Sequence, residues 1–200
     1  MRYTFFDTPL FTPVVRGILG LWLKLVNYRP AGEVPQEDKF IIIGVPHTSN
    51  WDFIYFLAIA LQLRVQPMWM GKDSLFTGPF RKMFQWMGGI PIDRTRSNNT
   101  VEQAIELFNA NKKMILVLAP EGTRSHSPYW KSGFYHIALG AKVPISMGFL
   151  DYKVRKGGLG PLYYPTGDTA VDVEAFRTFY RTVTARYPEK TGEIAFRESS

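Results

Sequence analysis

The chain has 200 residues, a length that fits one domain with a hydrophobic core of its own. Its 24 lysines and arginines outnumber 17 aspartates and glutamates, and the net charge of +7 favours negatively charged partners such as nucleic acid, anionic lipid or a phosphorylated substrate. The sequence contains no cysteine, which excludes disulfide scaffolds, thiol nucleophiles and cysteine-ligated metal sites.

The N-terminal segment is predicted to contain a helix over residues 9–26, because apolar residues recur three and four positions apart after two prolines. Arg16, Trp22 and Lys24 lie within it, so this helix either packs against the core or lies in a membrane interface. Aromatic residues make up 15% of the chain, which favours a membrane surface. The longest apolar stretches fall short of the ~20 residues needed to span a bilayer, and the N-terminus lacks the features of a signal peptide.

The rest of the chain alternates predicted strands and helices. Residues 40–45 form an unbroken apolar run, which is typical of a strand buried on both faces of a sheet. Further strands are predicted at 65–70, 90–92, 114–118 and 143–149, helices at 51–63, 74–87, 100–109, 133–139 and 172–186, a loop at 30–35, and a loop or hairpin at 157–165. The alternation predicts an α/β fold: a single domain with a mixed, largely parallel sheet flanked by helices, preceded by the N-terminal amphipathic helical segment.

His47 and Asp52 stand where the strand at 40–45 gives way to a helix. Five residues of a continuous helix turn through about 500°, which would leave the two side chains roughly 140° apart, so His47 must precede the helix. Asp52 in the first helical turn then reaches back to one ring nitrogen and orients the imidazole, while the other nitrogen is available as a base. The alternative is a capping aspartate beside a structural histidine, and these two residues alone leave both interpretations open.

Two further strand ends carry candidate phosphate ligands. The segment Pro120-Glu121-Gly122-Thr123-Arg124 follows the strand at 114–118, at the edge where open α/β sheets bind ligands. Gly122 permits a close approach of the backbone, and Arg124 has a planar guanidinium suited to phosphate. Arg94 follows the strand at 90–92 and is a second candidate. The structural alternatives are a turn with a surface salt bridge and a solvated arginine.

These residues together resemble the glycerolipid acyltransferases of the 1-acylglycerol-3-phosphate acyltransferase (lysophospholipid acyltransferase) type. Four blocks characteristic of that family occur here in order, at residues 47–52 (His-Thr-Ser-Asn-Trp-Asp), 88–94, 121–125 and 143–145. The resemblance extends from about Phe40 to Phe149. We expect an acyltransferase domain over residues 36–200. Residues 1–35 are predicted to be a helical membrane-association segment, because of the N-terminal helix and the aromatic content of the chain.

The resemblance also implies a reaction and a set of roles. The expected activity is transfer of a fatty acyl group from acyl-CoA or acyl carrier protein to a hydroxyl of a lysophospholipid or acylglycerol phosphate, with no cofactor and no metal. His47 is the expected general base and Asp52 its orienting carboxylate. The expected substrate-binding residues are Arg94, Glu121, Gly122, Thr123 and Arg124, with Lys72 as a further candidate.

The expected acceptor follows from the resemblance, whereas the expected membrane surface and location follow from the N-terminal helix, the aromatic content and the lack of signal-peptide features. We expect a phosphate-bearing lipid acceptor and an anionic membrane surface as partners, and a peripheral or monotopic location on the cytoplasmic face of the cell membrane. Nucleic acid is not an expected partner, because the sequence contains no recognition module for it. The alternative function is that of a non-catalytic lipid-binding protein that retains the acyltransferase pocket.

Overall fold

A seven-stranded sheet organises the computed structural model, which describes residues 3–93 and 99–196. The strands are β1 (Arg29–Ala31), β2 (Lys39–Val45), β3 (Met68–Lys72), β4 (Gly89–Ile92), β5 (Met114–Leu118), β6 (Ile145–Asp151) and β7 (Lys156–Tyr163). They lie in the order β1-β7-β6-β2-β5-β3-β4; β6 and β7 pair antiparallel, and the other neighbouring strands pair parallel. The loops that follow β2, β3, β4 and β5 therefore share one edge of the sheet.

Helices cover both faces of this sheet. They are α1 (Phe11–Leu25), α2 (Asn50–Leu63), α3 (Arg81–Trp86), α4 (Asn99–Ala110), α5 (Gly133–Ala141) and α6 (Thr169–Tyr180), with short 3₁₀ helices at Asp73–Phe76 and Pro188–Lys190. The odd-numbered side chains of β2 pack with Phe108, Phe134 and Phe176 from α4, α5 and α6. Its even-numbered side chains pack with Val65 and Leu159 on the opposite face. Burial on both faces explains the unbroken apolar run of β2.

The N-terminal helix packs along α2. Leu19 and Leu23 of α1 contact the apolar side chains of α2, and the Arg16 side chain donates a hydrogen bond of 2.9 Å to the Leu61 carbonyl oxygen. The predicted α/β fold class, with its largely parallel sheet and preceding helix, is confirmed. No helix in the described part of the chain is long and apolar enough to cross a membrane.

Three element predictions differ from the structure. The helix predicted at 74–87 is divided into the 3₁₀ helix Asp73–Phe76 and α3, because Pro79 lacks the amide hydrogen that a continuous helix needs. The loop alternative at 157–165 is wrong: most of these residues lie in strand β7, which forms a hairpin with β6. Strand β7 also pairs with β1, so the start of the loop predicted at 30–35 is a strand. At Gly158 a Cβ atom would lie 1.7 Å from the Ala31 carbonyl oxygen, so this close strand approach requires glycine.

Candidate active site

The turn between β2 and α2 holds His47 shortly before the helix begins at Asn50. Ser49 is the helix N-cap, and its hydroxyl accepts a hydrogen bond of 3.2 Å from the Trp51 amide. The Asp52 carboxylate turns back toward the same cap. Its Oδ2 atom accepts hydrogen bonds of 2.8 Å from the amides of Thr48 and Ser49. This reciprocal capping arrangement explains why Asp52 lies under the turn rather than pointing into solvent.

The turn brings His47 and Asp52 into contact. His47 Nδ1 lies 3.5 Å from Asp52 Oδ2, and the His47 side chain remains 28% exposed while the Asp52 side chain is buried. His47 Nε2 has no hydrogen-bond partner among the residues that the structure describes. Burial alone would raise the pKa of Asp52, but hydrogen bonds from His47, Tyr152 and the two cap amides outweigh it and lower that pKa below its ordinary value. A carboxylate held charged beside one imidazole nitrogen suits the other nitrogen to act as a base.

Glu121 lies beneath the same turn, in the loop after β5. Its buried carboxylate accepts the His47 amide hydrogen at 3.1 and 3.2 Å, one distance for each oxygen. Burial raises the pKa of Glu121, although the hydrogen bond from the His47 amide opposes this shift. The carboxylate therefore holds the His47 backbone, whereas the sequence pattern suggested a residue directed at substrate.

The residues after Glu121 surround the exposed side of the turn. Gly122 adopts a φ of +68°, a left-handed conformation that favours glycine. The Thr123 hydroxyl accepts a hydrogen bond of 3.1 Å from the Ser125 amide. The Arg124 guanidinium is exposed and donates to the Asn50 side-chain oxygen at the start of α2. Arg124 thus joins the loop after β5 to the loop after β2.

Lys131 is a cation at this loop that the sequence prediction did not include among the site residues. Its amide donates a hydrogen bond of 2.8 Å to the Pro120 carbonyl oxygen, and its side chain lies over Gly122, within 3 Å of where a Cβ atom would stand. The available signal was a lysine only nine positions after Gly122 on a segment that leads into α5.

The other two predicted cations lie farther along the edge or outside the described residues. Lys72 is exposed at the carboxyl end of β3, the strand next to β5, and no hydrogen bond or ion pair joins it to His47, Asp52 or Glu121 in the described structure. Arg94 falls outside the residues that the structure describes. No group of three or more histidine, aspartate or glutamate side chains in the described ranges could hold a metal ion.

An apolar cavity of 440 Å³ opens beside His47 and Asp52, which both line it. The remaining walls come from β2, α2, β3, β5, β6 and β7 and from the segment before α1. They include the side chains of Phe6, Ile42, Phe56, Leu57, Trp69, Val117, Phe149 and Leu159. A polar His–Asp pair therefore stands at the wall of a cavity that is otherwise suited to a hydrocarbon chain.

Tyr152 is a further site residue that the sequence prediction missed. It lies in the turn after β6, 100 positions from Asp52, and its hydroxyl donates a hydrogen bond of 2.5 Å to Asp52 Oδ1. No motif or periodic pattern marks this tyrosine, because its contact with Asp52 depends on the adjacency of β2 and β6 in the sheet.

Comparison with known proteins gives one consistent group of relatives. A family model described as Acyltransferase matches residues 26–146. The 1-acyl-sn-glycerol-3-phosphate acyltransferase of Streptococcus pneumoniae is 32% identical over 145 residues, which cover 68% of this chain and 52% of the relative. The enzyme of that name from Haemophilus influenzae is 30% identical over 151 residues, covering 70% of this chain and 61% of the relative. The chain spans about half the length of the curated relatives it matches.

A solved structure shares the fold. The crystal structure of the 1-acyl-sn-glycerophosphate (LPA) acyltransferase from Thermotoga maritima superposes with a TM-score of 0.56, covering 86% of this chain and 76% of that one. The sequence identity is 17%, so this match concerns the architecture of the chain.

Proposed function

The chain belongs to the acyltransferase family, and from this premise we propose that it transfers a fatty acyl group from an acyl thioester to a hydroxyl of a lysophospholipid or acylglycerol phosphate. The thioester donor is acyl-CoA or acyl carrier protein. The observation that carries the proposal is the His47–Asp52 pair at the wall of the 440 Å³ apolar cavity. The names of the relatives support a phosphate-bearing lipid as the acceptor.

His47 acts as the general base in the proposed reaction. It takes the proton of the acceptor hydroxyl as the oxygen attacks the thioester carbonyl carbon, and the resulting tetrahedral oxyanion collapses with cleavage of the carbon–sulfur bond. The protonated imidazole then returns its proton to the thiolate that leaves. The buried, charged Asp52 stabilises the imidazolium between these two steps. The thioester is already activated, so the reaction uses it as a substrate and invokes no cofactor.

The cavity accommodates the acyl chain of the donor or product. Each methylene group transferred from water into such a space contributes about 0.8 kcal/mol. The carbonyl end of the chain lies at the His47 wall, which brings the reacting carbon and the base together. A cavity of defined volume supports selection among donors by chain length.

The acceptor phosphate binds at the exposed side of the His47 turn. Arg124 and Lys131 supply the positive charge, and the missing Cβ atom of Gly122 leaves room for the Lys131 side chain beside the loop. Arg94 and Lys72 remain further candidates for the same phosphate. Thr123 contributes to the shape of the loop through its hydrogen bond with Ser125.

The proposed location is an anionic membrane surface on the cytoplasmic side, where the chain is peripheral or monotopic. One face of α1 packs on α2, yet the opposite face carries a second apolar stripe. Val14, Ile18, Leu21 and Leu25 are each at least 60% exposed. The stripe extends about 16 Å along the helix and supports insertion of α1 into the headgroup region, with residues 1–35 as the association segment.

The test is a transfer assay with the purified full chain. Labelled palmitoyl-CoA and palmitoyl-acyl carrier protein are each offered with a panel of lysophospholipids and glycerol 3-phosphate, and the lipid products are separated. We expect a product from at least one donor–acceptor pair, and its loss in His47→Ala. His136→Ala, an exposed histidine on α5, is the matched control and retains full transfer. Undiminished transfer by His47→Ala, or lipid binding without turnover from either donor, contradicts the proposal.

A further inference from the structure

We propose that Tyr152 is a positioning residue whose hydroxyl holds the Asp52 carboxylate in place for His47, and that Arg186 holds the Tyr152 ring. This inference rests on the proposed function, because it concerns the same His47–Asp52 pair. Both residues lie outside the four motif blocks, at 47–52, 88–94, 121–125 and 143–145. They come from the turn after β6 and from the segment after α6.

The hydrogen bonds of Asp52 divide between its two oxygens. Oδ2 accepts the amides of Thr48 and Ser49 at 2.8 Å and is also the oxygen that faces His47, at the longer distance of 3.5 Å. Oδ1 accepts the Tyr152 hydroxyl at 2.5 Å. The two cap amides hold one oxygen, and a hydrogen bond to the second oxygen further restrains rotation of the carboxylate about the Cβ–Cγ bond, because the two oxygens turn together. The Tyr152 hydroxyl supplies that second restraint.

Tyr152 is the donor in this pair. Burial and the hydrogen bond to Asp52 raise the pKa of the Tyr152 hydroxyl far above its ordinary value, while the pKa of Asp52 is lowered. The proton therefore stays on the tyrosine. The Tyr152 ring makes edge contacts with Tyr28 and Tyr55, with ring centroids 6.0 and 5.7 Å apart. These contacts orient the hydroxyl before any substrate arrives.

Arg186 joins the Tyr152 ring to the start of α2. Its guanidinium carbon lies 5.6 Å from the ring centroids of both Trp51 and Tyr152, and 5.8 Å from that of Tyr187. The next peptide amide, that of Tyr187, donates a hydrogen bond of 3.3 Å to the Thr48 hydroxyl. The segment after α6 therefore contacts the His47 turn at two points, and one cation links rings from three parts of the chain.

The titratable groups around Asp52 define what a pH experiment would report. His47 contacts Oδ2, and Tyr152 donates to Oδ1. Glu121 and Tyr28 interact with Asp52 through their charges when ionised. The Arg186 guanidinium lies over the Tyr152 ring and is also a hydrogen-bond partner of the Tyr152 hydroxyl. Removing the Tyr152 hydroxyl takes away one donor to the charged form of Asp52 and so raises the Asp52 pKa.

The experiment compares Tyr152→Phe with Tyr28→Phe in the full chain. Both variants remove one buried hydroxyl and keep the ring, but the Tyr28 hydroxyl has no hydrogen-bond partner within the described part of the structure. The Asp52 carboxyl carbon is followed by NMR as a function of pH, with its signal assigned by its absence in Asp52→Asn. We expect the Asp52 titration to move to higher pH in Tyr152→Phe and to stay in place in Tyr28→Phe.

The second measurement is the kcat and KM of the same variants in the acyl-transfer assay. We expect kcat of Tyr152→Phe to fall by roughly 10- to 100-fold, the value of one hydrogen bond to a charged group, with KM unchanged. Arg186→Leu loses roughly 2- to 10-fold in kcat, and Arg186→Lys, which keeps the cation, restores most of it.

The two proposals fail in different ways. If the wild-type chain transfers no acyl group, the proposed function fails, while the NMR titration still tests the positioning role of Tyr152. If the wild-type chain is active but Tyr152→Phe matches Tyr28→Phe in both Asp52 titration and kcat, the positioning role is wrong. A loss of thermal stability without a change in the Asp52 titration likewise assigns Tyr152 to packing alone.

Discussion

Replacement of Asp52 by asparagine separates the structural and catalytic contributions of the buried carboxylate. The carboxylate accepts two amides at Oδ2 and the Tyr152 hydroxyl at Oδ1. Asparagine has only one accepting oxygen. When that oxygen accepts the two amides, the NH₂ group donates to the Tyr152 hydroxyl in place of the bond that the carboxylate accepted; in the other orientation the NH₂ group faces the two amide donors. Each orientation therefore loses at least one hydrogen bond to a charged group. A hydrogen bond to a charged group is worth about 1.5 to 3 kcal/mol. For a chain of this size that corresponds to a fall in Tm of roughly 3 to 12 °C.

The pH dependence of this difference has a definite sign. Because the folded-state pKa of Asp52 is lowered, its carboxylate stabilises the fold above its ordinary pKa, and this contribution is lost as the pH falls through the folded-state value. The asparagine side chain of the variant does not titrate. Thermal melts should therefore show that the Tm of Asp52→Asn lies below that of wild type by a constant amount from neutral pH down to about pH 4. Below that pH the difference in Tm should shrink.

Asp151→Asn is the matched control. Asp151 is also buried, but its Oδ1 atom alone accepts the amides of Lys153 and Val154, at 2.9 and 3.1 Å, and asparagine retains that oxygen. The free energy of unfolding of this variant should fall by at most about 1 kcal/mol, and its acyl transfer should be unchanged. Asp52→Asn should lose roughly 10³- to 10⁴-fold in kcat, because its imidazole is no longer oriented by a charge. Equal Tm values of the two variants at pH 7 would refute this reasoning. So would a difference in Tm between Asp52→Asn and wild type that does not change with pH.

Two further predictions concern the phosphate loop and the membrane face. Gly122→Ala places a Cβ atom on a residue with φ of +68°. The variant should lower the free energy of unfolding by about 1 to 2 kcal/mol and raise KM for the acceptor. Gly78→Ala, where a Cβ atom meets nothing within 4 Å, should melt at or above the wild-type temperature in the same assay. The double variant Ile18→Asp with Leu21→Asp should sediment less with anionic vesicles than wild type, whereas Val171→Asp on α6 should bind as wild type. Equal sedimentation of all three chains would exclude the α1 stripe as the attachment face.

The local pattern of the sequence was sufficient to predict the α/β fold class and much of the His47 turn. An apolar run such as β2, with four residues no more than 1% exposed, is recognisable because burial on both faces leaves no polar position. The relative positions of His47 and Asp52 followed from helix geometry and capping, which involve neighbours within five residues. These are short-range rules, and the structure has the contact that they predicted, at 3.5 Å.

Tertiary structure alone decided the contacts between distant segments. Strand β7 was missed because its glycines are selected by the close approach of β1, a strand far away in the sequence, and not by any apolar alternation. Glu121 was expected to face substrate, yet its carboxylate holds the His47 amide. Tyr152 reaches Asp52 from the turn after β6, the strand beside β2. Periodicity and capping specify which faces are buried and where helices begin. Which distant side chains then meet depends on strand order, and only packing of the whole chain determines that order.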